Sequence, residues 1–301
     1  MDQVRLIREL FQRSDEKRDK DFVTPEDIVR NDDITYGPDS KWNLLDVYYK
    51  KGTMACQNTI ISVHGGAWVY GEKERYQYYC MNLAQRGFTV VNFSYRLAPE
   101  AKYPAALEDI NAAFAWVKEH ASEYYIDLDN LFVVGDSAGA QLGSQYLTIL
   151  TNPEYGKQFT FDVPKVTVRA AALNCGIYDA KEYCNRSQGE LLKCYLGKEP
   201  EEIPTIDVMS YITEKFPASF IMSSYTDPML QYAEPMYERL KEAGVDTVLK
   251  IYGAPEKKEI GHVFHCNIVL EEAIQCNDEE CEFFQAHSTC AGKEKIEVLG
   301  H

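Results

Sequence analysis

Positive charge is scarce in this 301-residue chain: 31 lysines and arginines stand against 47 aspartates and glutamates, a net charge of −16 at pH 7. That balance excludes nucleic acid and anionic membrane surfaces as partners and disfavours polyanionic substrates, because the protein's own field repels them. Long apolar runs are also missing, and no stretch approaches the roughly 20 residues a spanning helix needs. The opening Met1-Asp2-Gln3-Val4-Arg5-Leu6-Ile7-Arg8-Glu9 is charged and amphipathic, unlike a basic n-region followed by an apolar h-region. The nine cysteines are scattered, odd in number and without a C-x-x-C pair. Neither a disulfide framework nor a zinc site is expected from them. The compartment expected is a reducing one, most simply the cytoplasm. Internal repeats and low-complexity tracts are absent. With 45% hydrophobic and 26% charged residues the composition is that of an ordinary globular chain, long enough to bury a full core.

What the sequence does contain is an alternation of buried-strand and helix patterns. Strands are expected at 44–49, 58–63, 88–95, 130–136, 168–175, 218–223 and 247–252. Helices fall between them, with Leu107, Ile110, Phe114 and Val117 at helical spacing in one. Strand, helix, strand, helix implies an α/β protein with a mainly parallel sheet covered by helices on both faces. Residues 1–40 are expected to form short helices. Val4, Ile7, Leu10 and Phe11 share one face, and Thr24-Pro25-Glu26-Asp27 reads as an N-cap with proline at the first helical position. The pattern breaks between Gly176 and Phe216, where tyrosines and charges form an insertion over the top of the sheet. The final helix is expected from Asn267 to Ala286, with Ile268, Val269, Ala273, Ile274 and Phe283 inward and Glu271, Glu272, Asp278, Glu279 and Glu280 mostly outward.

The most informative stretch is Asn130-Leu-Phe-Val-Val-Gly-Asp-Ser137-Ala-Gly-Ala140. An apolar strand ends in Gly-Asp-Ser-Ala-Gly and a small-residue helix follows, the pattern of a nucleophile elbow. Gly135 and Gly139 are required because a Cβ at either would crowd the neighbouring strand or helix. The helix that starts after Ser137 aims backbone N–H groups at the place where an oxyanion would form. A second glycine stretch, His64-Gly65-Gly66-Ala67-Trp68, follows the 58–63 strand and lets backbone amides turn inward. His64 is expected to hold this loop through its ring rather than titrate. Asp227, in Thr226-Asp227-Pro228, and His262, in Gly261-His262-Val263-Phe264-His265, each fall in a loop after a strand. The order Ser137, Asp227, His262 allows His262 to take the serine proton while Asp227 fixes the imidazole. His262 and His265 lack a carboxylate or cysteine at zinc-site spacing, so His265 is read as a packing or capping residue.

On these residues, together with Tyr95-Arg96-Leu97-Ala98-Pro99-Glu100 and Thr226-Asp227-Pro228-Met229, the chain resembles the hormone-sensitive-lipase-like branch of α/β-hydrolase serine esterases. The resemblance covers residues 40 to 285 and implies an α/β-hydrolase fold with a small helical cap. It implies catalytic Ser137, Asp227 and His262, and an oxyanion hole at Gly65, Gly66, Ala67 and Ala138. There the amides of Gly66, Ala67 and Ala138 would donate while Gly65 allows the turn. It also implies a core at 41–176 and 213–290, N-terminal cap helices at 1–40, a cap insertion at 177–212 and a tail at 291–301. Three departures stand out. Ala67 replaces the family's usual third glycine, Gly139-Ala140 replaces Gly-Gly, and Val-Phe-His follows the histidine.

The activity implied is that of a serine carboxylesterase on short acyl esters, acetylated sugars being one class, with no cofactor and no metal. An arylformamidase with the same motifs is the neighbouring alternative. A small-ligand receptor on this fold is another, although such receptors typically lack a triad member and all three are present here. The expected partner is a small-molecule ester, with a homodimer left open.

Overall fold

The computed structural model describes residues 2–186 and 189–289. Its elements run α1 (Asp2–Asp19), β1 (Ile28–Thr35), β2 (Leu44–Lys50), β3 (Gln57–Val63), α2 (Lys73–Ala84), β4 (Thr89–Phe93), α3 (Ala105–Glu119), β5 (Ile126–Asp136), α4 (Ala138–Thr151), α5 (Pro153–Gly156), β6 (Val168–Asn174), α6 (Ala180–Cys184), α7 (Gly189–Leu196), β7 (Ala218–Ser224), α8 (Ala233–Glu242), β8 (Thr247–Tyr252) and α9 (Glu271–Ala286). The eight strands form one sheet in the order β1-β2-β4-β3-β5-β6-β7-β8. β1 and β2 pair antiparallel, as do β2 and β4, and every other pairing is parallel. Because β3, β5, β6, β7 and β8 run the same way, the loops at their C-terminal ends collect along one edge, where ligands bind in open α/β sheets.

The central strands carry apolar residues on both faces because both faces are covered. Val63, Val91, Val133, Leu173 and Ile221 point to the face packed by α3, α4, α8 and the insertion. The alternate residues Ile60, Val90, Phe132, Ala172 and Met222 point to α2 and α9. No helix among the described residues is long and apolar enough to cross a membrane.

Several expectations are corrected. Residues 1–40 are not all helical: α1 is followed by β1, an edge strand that pairs with β2. Its sequence, Ile-Val-Arg-Asn-Asp-Asp-Ile-Thr, hides the strand behind charge, which is how edge strands avoid pairing with other chains. A bulge lies between Asn31 and Ile34, where Asp33 takes a φ of 57°. The buried Lys73 ammonium ties that bulge down, lying 2.7 Å from Asp33 and 2.9 Å from Asp46.

The final helix begins at Glu271, after a 3₁₀ turn at Phe264–Cys266, and its buried face is Ala273, Cys276, Asn277, Glu280, Cys281 and Phe284. Val269 and Ile274 are exposed. Glu280 is fully buried instead of outward, because Tyr79 Oη and Asn174 Nδ2 donate to its carboxylate at 2.9 and 2.8 Å. The insertion holds α6, α7 and three short 3₁₀ turns, and its Tyr178, Tyr183 and Tyr195 are core residues. The tail at 291–301 lies outside the described residues.

Candidate active site

Ser137 sits between β5 and α4 with a φ of 53° and a ψ of −118°, the sharp turn a nucleophile elbow needs. The two flanking glycines make that turn possible through close backbone approach. A Cβ on Gly135 would lie 2.6 Å from Gly139 O, and one on Gly139 would lie 2.1 Å from Val63 O. The Ser137 N–H donates to Asn174 O on the neighbouring strand at 2.8 Å, so the sheet itself fixes the serine backbone.

The structure brings Ser137, Asp227 and His262 together from three separate loops. Ser137 Oγ lies 2.9 Å from His262 Nε2, and His262 Nδ1 lies 2.8 Å from Asp227 Oδ1. Asp227 is held in turn by Ser223 Oγ and by the Met229 N–H, at 2.9 and 2.8 Å. Burial works to raise the Asp227 carboxyl, but the hydrogen bond and charge of His262 outweigh it and bring the group below its ordinary value. Burial works to lower the His262 imidazole, and the Asp227 hydrogen bond and charge reverse this and raise it. In the neutral imidazole, the Asp227 contact keeps the proton on Nδ1 and leaves Nε2 free to accept from the serine.

The 64–71 loop lies opposite. Gly66 has a φ of 118°, and Ala67 and Trp68 follow at 53° and 61°. Two consecutive non-glycine residues in the left-handed region cost roughly 1–3 kcal/mol each, so the surroundings must impose the conformation. Several contacts do so. The Trp68 indole N–H donates to Gln141 at 2.9 Å, and its ring stacks on Tyr195 with centroids 6.1 Å apart. The Ala98 N–H donates to Trp68 O at 2.9 Å. His64 is fully buried, its Nδ1 2.8 Å from Gly65 O and its ring stacked on Tyr95 at 4.0 Å. Burial pushes its pKa down to about 4, so it stays neutral and holds the loop. His265 is likewise fully buried, pushed down to about 3 by burial, and packs edge-on against Tyr79.

Of the four residues grouped at the oxyanion side, Gly65, Gly66 and Ala67 line the cavity beside Ser137, and Ala138 opens α4 immediately after it. The Gly65 amide is engaged elsewhere: it donates to Tyr76 Oη at 3.0 Å, and Tyr76 Oη donates to Asp136 Oδ2 at 2.8 Å. A Cβ on Gly65 would lie 2.5 Å from that same Oδ2. Tyr76 therefore links the glycine loop to the residue just before the serine, and sequence reasoning missed this. A carboxylate closing an apolar strand is a signal that a buried partner waits for it. Nothing in the spacing points to a tyrosine on α2. Burial pushes the Asp136 carboxyl up to about 6 despite the Tyr76 hydrogen bond.

These groups surround a cavity of about 390 Å³. Ile7 and Phe11 of α1, Ile177, Tyr183 and Leu191 of the insertion, and Met229 and Val263 give it apolar walls; Ser14, Asp15, Tyr70 and Tyr76 supply the polar ones. Among the described residues, one group of three metal-capable side chains appears, Cys175 with Asp227 and His262, their ligand atoms within 4.8 Å of one another. Asp227 and His262 are already committed to each other. Burial raises the Cys175 thiol well above its ordinary value, so it stays protonated and a poor metal ligand.

The chain is similar to known esterases in sequence and in fold. The chain is 28% identical over 232 residues to esterase LipQ of Mycobacterium tuberculosis, an alignment covering 73% of this chain and 55% of LipQ. It thus spans about half the length of that relative. It is 29% identical over 232 residues to versiconal hemiacetal acetate esterase of Dothistroma septosporum, covering 72% of this chain and 70% of that protein. The fold is shared with esterase B from Lactobacillus rhamnosis, crystallised with a C4-C4 SN3 tributyrin phosphonate. The TM-score is 0.89 at 23% identity, over 98% of this chain and 97% of that one. The BD-FAE family model matches residues 45–240, a span that holds the glycine loop, the elbow and the aspartate, and the chain belongs to this family of hormone-sensitive-lipase-like α/β-hydrolases.

Proposed function

We propose that this protein is a serine carboxylesterase that hydrolyses short-chain acyl esters through an acyl-enzyme, with Ser137 as nucleophile, His262 as general base and Asp227 as its orienting partner. The observation that carries the reading is the pair of contacts on the His262 ring, 2.9 Å to Ser137 Oγ and 2.8 Å to Asp227 Oδ1. Ser137 attacks the ester carbonyl as its proton passes to His262 Nε2. The tetrahedral oxyanion is received by the amides of Gly66, Ala67 and Ala138, reinforced by the N-terminal end of α4. His262 then gives its proton to the departing alkoxide, which leaves as the alcohol. Water, deprotonated by the same imidazole, attacks the acyl-enzyme and releases the acid.

Short acyl groups are favoured by the size of the cavity. One space of about 390 Å³ receives both halves of the ester, and Ile7, Phe11, Leu191 and Met229 bound it. Once the acyl chain reaches those walls, further methylenes gain no burial. The relative named for acetate ester hydrolysis supports the same class. The insertion tyrosines are weaker support for an acetylated sugar, because Tyr178 and Tyr195 are buried in the core and only Tyr183 reaches the cavity. Ser14 and Asp15 are the groups placed to meet a hydroxylated alcohol portion. A series of p-nitrophenyl esters from acetate to palmitate tests the reading. Catalytic efficiency is expected to be highest from acetyl to butyryl and to fall steeply beyond about six to eight acyl carbons. Preference for palmitate over butyrate would replace the esterase with a lipase.

A further inference from the structure

Helix α1 does more at the site than supply Ile7 and Phe11 to a wall. Arg8 Nε donates to Val69 O at 2.7 Å and Arg8 Nη2 to Ala98 O at 2.8 Å. The same guanidinium meets both oxygens of Glu100, at 2.8 and 2.6 Å. Two turns on, Asp15 accepts a hydrogen bond from Tyr70 Oη at 2.8 Å, and the Phe11 ring meets Tyr70 edge-on at 5.7 Å. These contacts converge on Val69 and Tyr70, which follow directly on the left-handed pair Ala67 and Trp68. The Val69 and Tyr70 amides both donate back to Gly66 O, at 3.1 and 2.9 Å, so the carbonyl that Arg8 takes belongs to the same tight turn as the Gly66 and Ala67 amides.

We infer that Arg8 is a positioning residue for catalysis: by holding the Val69 carbonyl it locks the 66–70 turn so that the Gly66 and Ala67 amides face the reacting oxygen. The inference rests on reading that loop as the oxyanion hole. Anchoring α1 would need only the ion pair with Glu100, which engages both carboxylate oxygens. The bonds to Val69 O and Ala98 O serve a different purpose, because they tie the residue after the strained pair to the segment whose Ala98 N–H holds Trp68 O. The planar guanidinium suits this role, since it reaches Val69 O, Ala98 O and the Glu100 carboxylate in one fixed geometry that an ammonium cannot copy.

The test compares Arg8→Ala, Arg8→Lys and the exchanged pair Arg8→Glu with Glu100→Arg. Each is assayed on p-nitrophenyl acetate, with active sites titrated by a fluorophosphonate and thermal midpoints measured in parallel. Arg8→Ala is expected to lower kcat roughly ten-fold or more, with KM within about two-fold of wild type, because oxyanion donors act on the transition state. Arg8→Lys keeps the charge and loses the fork, so it is expected to show the same pattern; it carries the test alone if Arg8→Ala fails to fold. The exchanged pair is expected to recover thermal stability but not kcat, since it restores the ion pair without the bond to Val69 O. The inference is overturned if the folded Arg8 variants keep kcat within about two-fold of wild type, or if the exchanged pair restores kcat together with stability. Failure of the esterase reading would look different: the wild-type enzyme would then not hydrolyse the ester, or Ser137→Ala would.

Discussion

The elbow at 135–139 and the loop at 64–71 are both tight turns at the end of a buried parallel strand, and both carry non-glycine residues at positive φ. They are held by different means. The elbow is fixed from within the sheet, by Gly135 packed on Gly139, by Gly139 against the end of β3 and by Ser137 N–H bonded to β6. The loop is held by side chains from outside it, reaching in from α1, α2 and α4 and from Tyr95 in the segment after β4. The place of Ser137 is therefore a property of the core, while the place of the Gly66 and Ala67 amides depends on layers packed over the core. Substitutions in those layers are expected to change turnover more than they change the fold.

The largest effect falls on the core side. His262→Gln is expected to reduce kcat/KM by roughly three orders of magnitude or more and to remove the pH dependence along with the activity. In the wild-type enzyme the imidazole must be neutral to accept a proton, and Asp227 raises its pKa. Efficiency is therefore expected to rise with pH through one ionisation above the ordinary histidine value of about 6.5 and then level off. A profile unaltered by the substitution would name another base.

Tyr76→Phe probes the loop side. It leaves the Gly65 N–H and the Asp136 carboxylate without their shared partner, while the glycine packing and the Ser137 N–H bond that fix the elbow backbone are untouched. A fall in kcat of roughly ten-fold with KM little changed is expected. Unchanged kcat would show that the loop holds its geometry without this link.

How far each region could be read from the sequence follows the same division. Glycines and the serine mark the elbow because local sterics demand them, and the alternating apolar strands mark the sheet. Asp227 and His262 were legible because each falls in the loop that follows a strand pattern. The layers over the core were not. β1 carries charge as an edge strand must, so helical capping signals in Thr24-Pro25-Glu26-Asp27 prevailed over it. In α9, Glu280 belongs to the buried face only because Tyr79 and Asn174 lie opposite, and that partnership spans more than a hundred residues of sequence. Tyr76 and Arg8 act through backbone groups of a loop brought to them by tertiary packing, which no spacing encodes.

Glu280 gives the smallest effect, one of stability alone. Burial holds its carboxyl up at about 7. Between the unfolded value of about 4.3 and that folded value the native state keeps a proton the unfolded chain has lost, so stability is lost as pH rises through this window. Glu280→Gln removes the titration and is expected to stabilise the protein by about 2 kcal/mol more at pH 8 than at pH 5 in denaturant unfolding. Equal effects at the two pH values would mean that the carboxyl is ionised throughout.

The most direct measurement of the central claim is covalent labelling followed by intact-mass and peptide-mass analysis. A p-nitrophenyl alkylphosphonate with a short chain presents a tetrahedral phosphorus to the nucleophile and leaves it permanently attached. The wild-type protein is expected to gain a single phosphonyl group, on the peptide containing Ser137, as esterase activity disappears, and Ser137→Ala is expected to gain none. Labelling of a different residue in step with the loss of activity, or undiminished labelling of Ser137→Ala, would contradict the assignment.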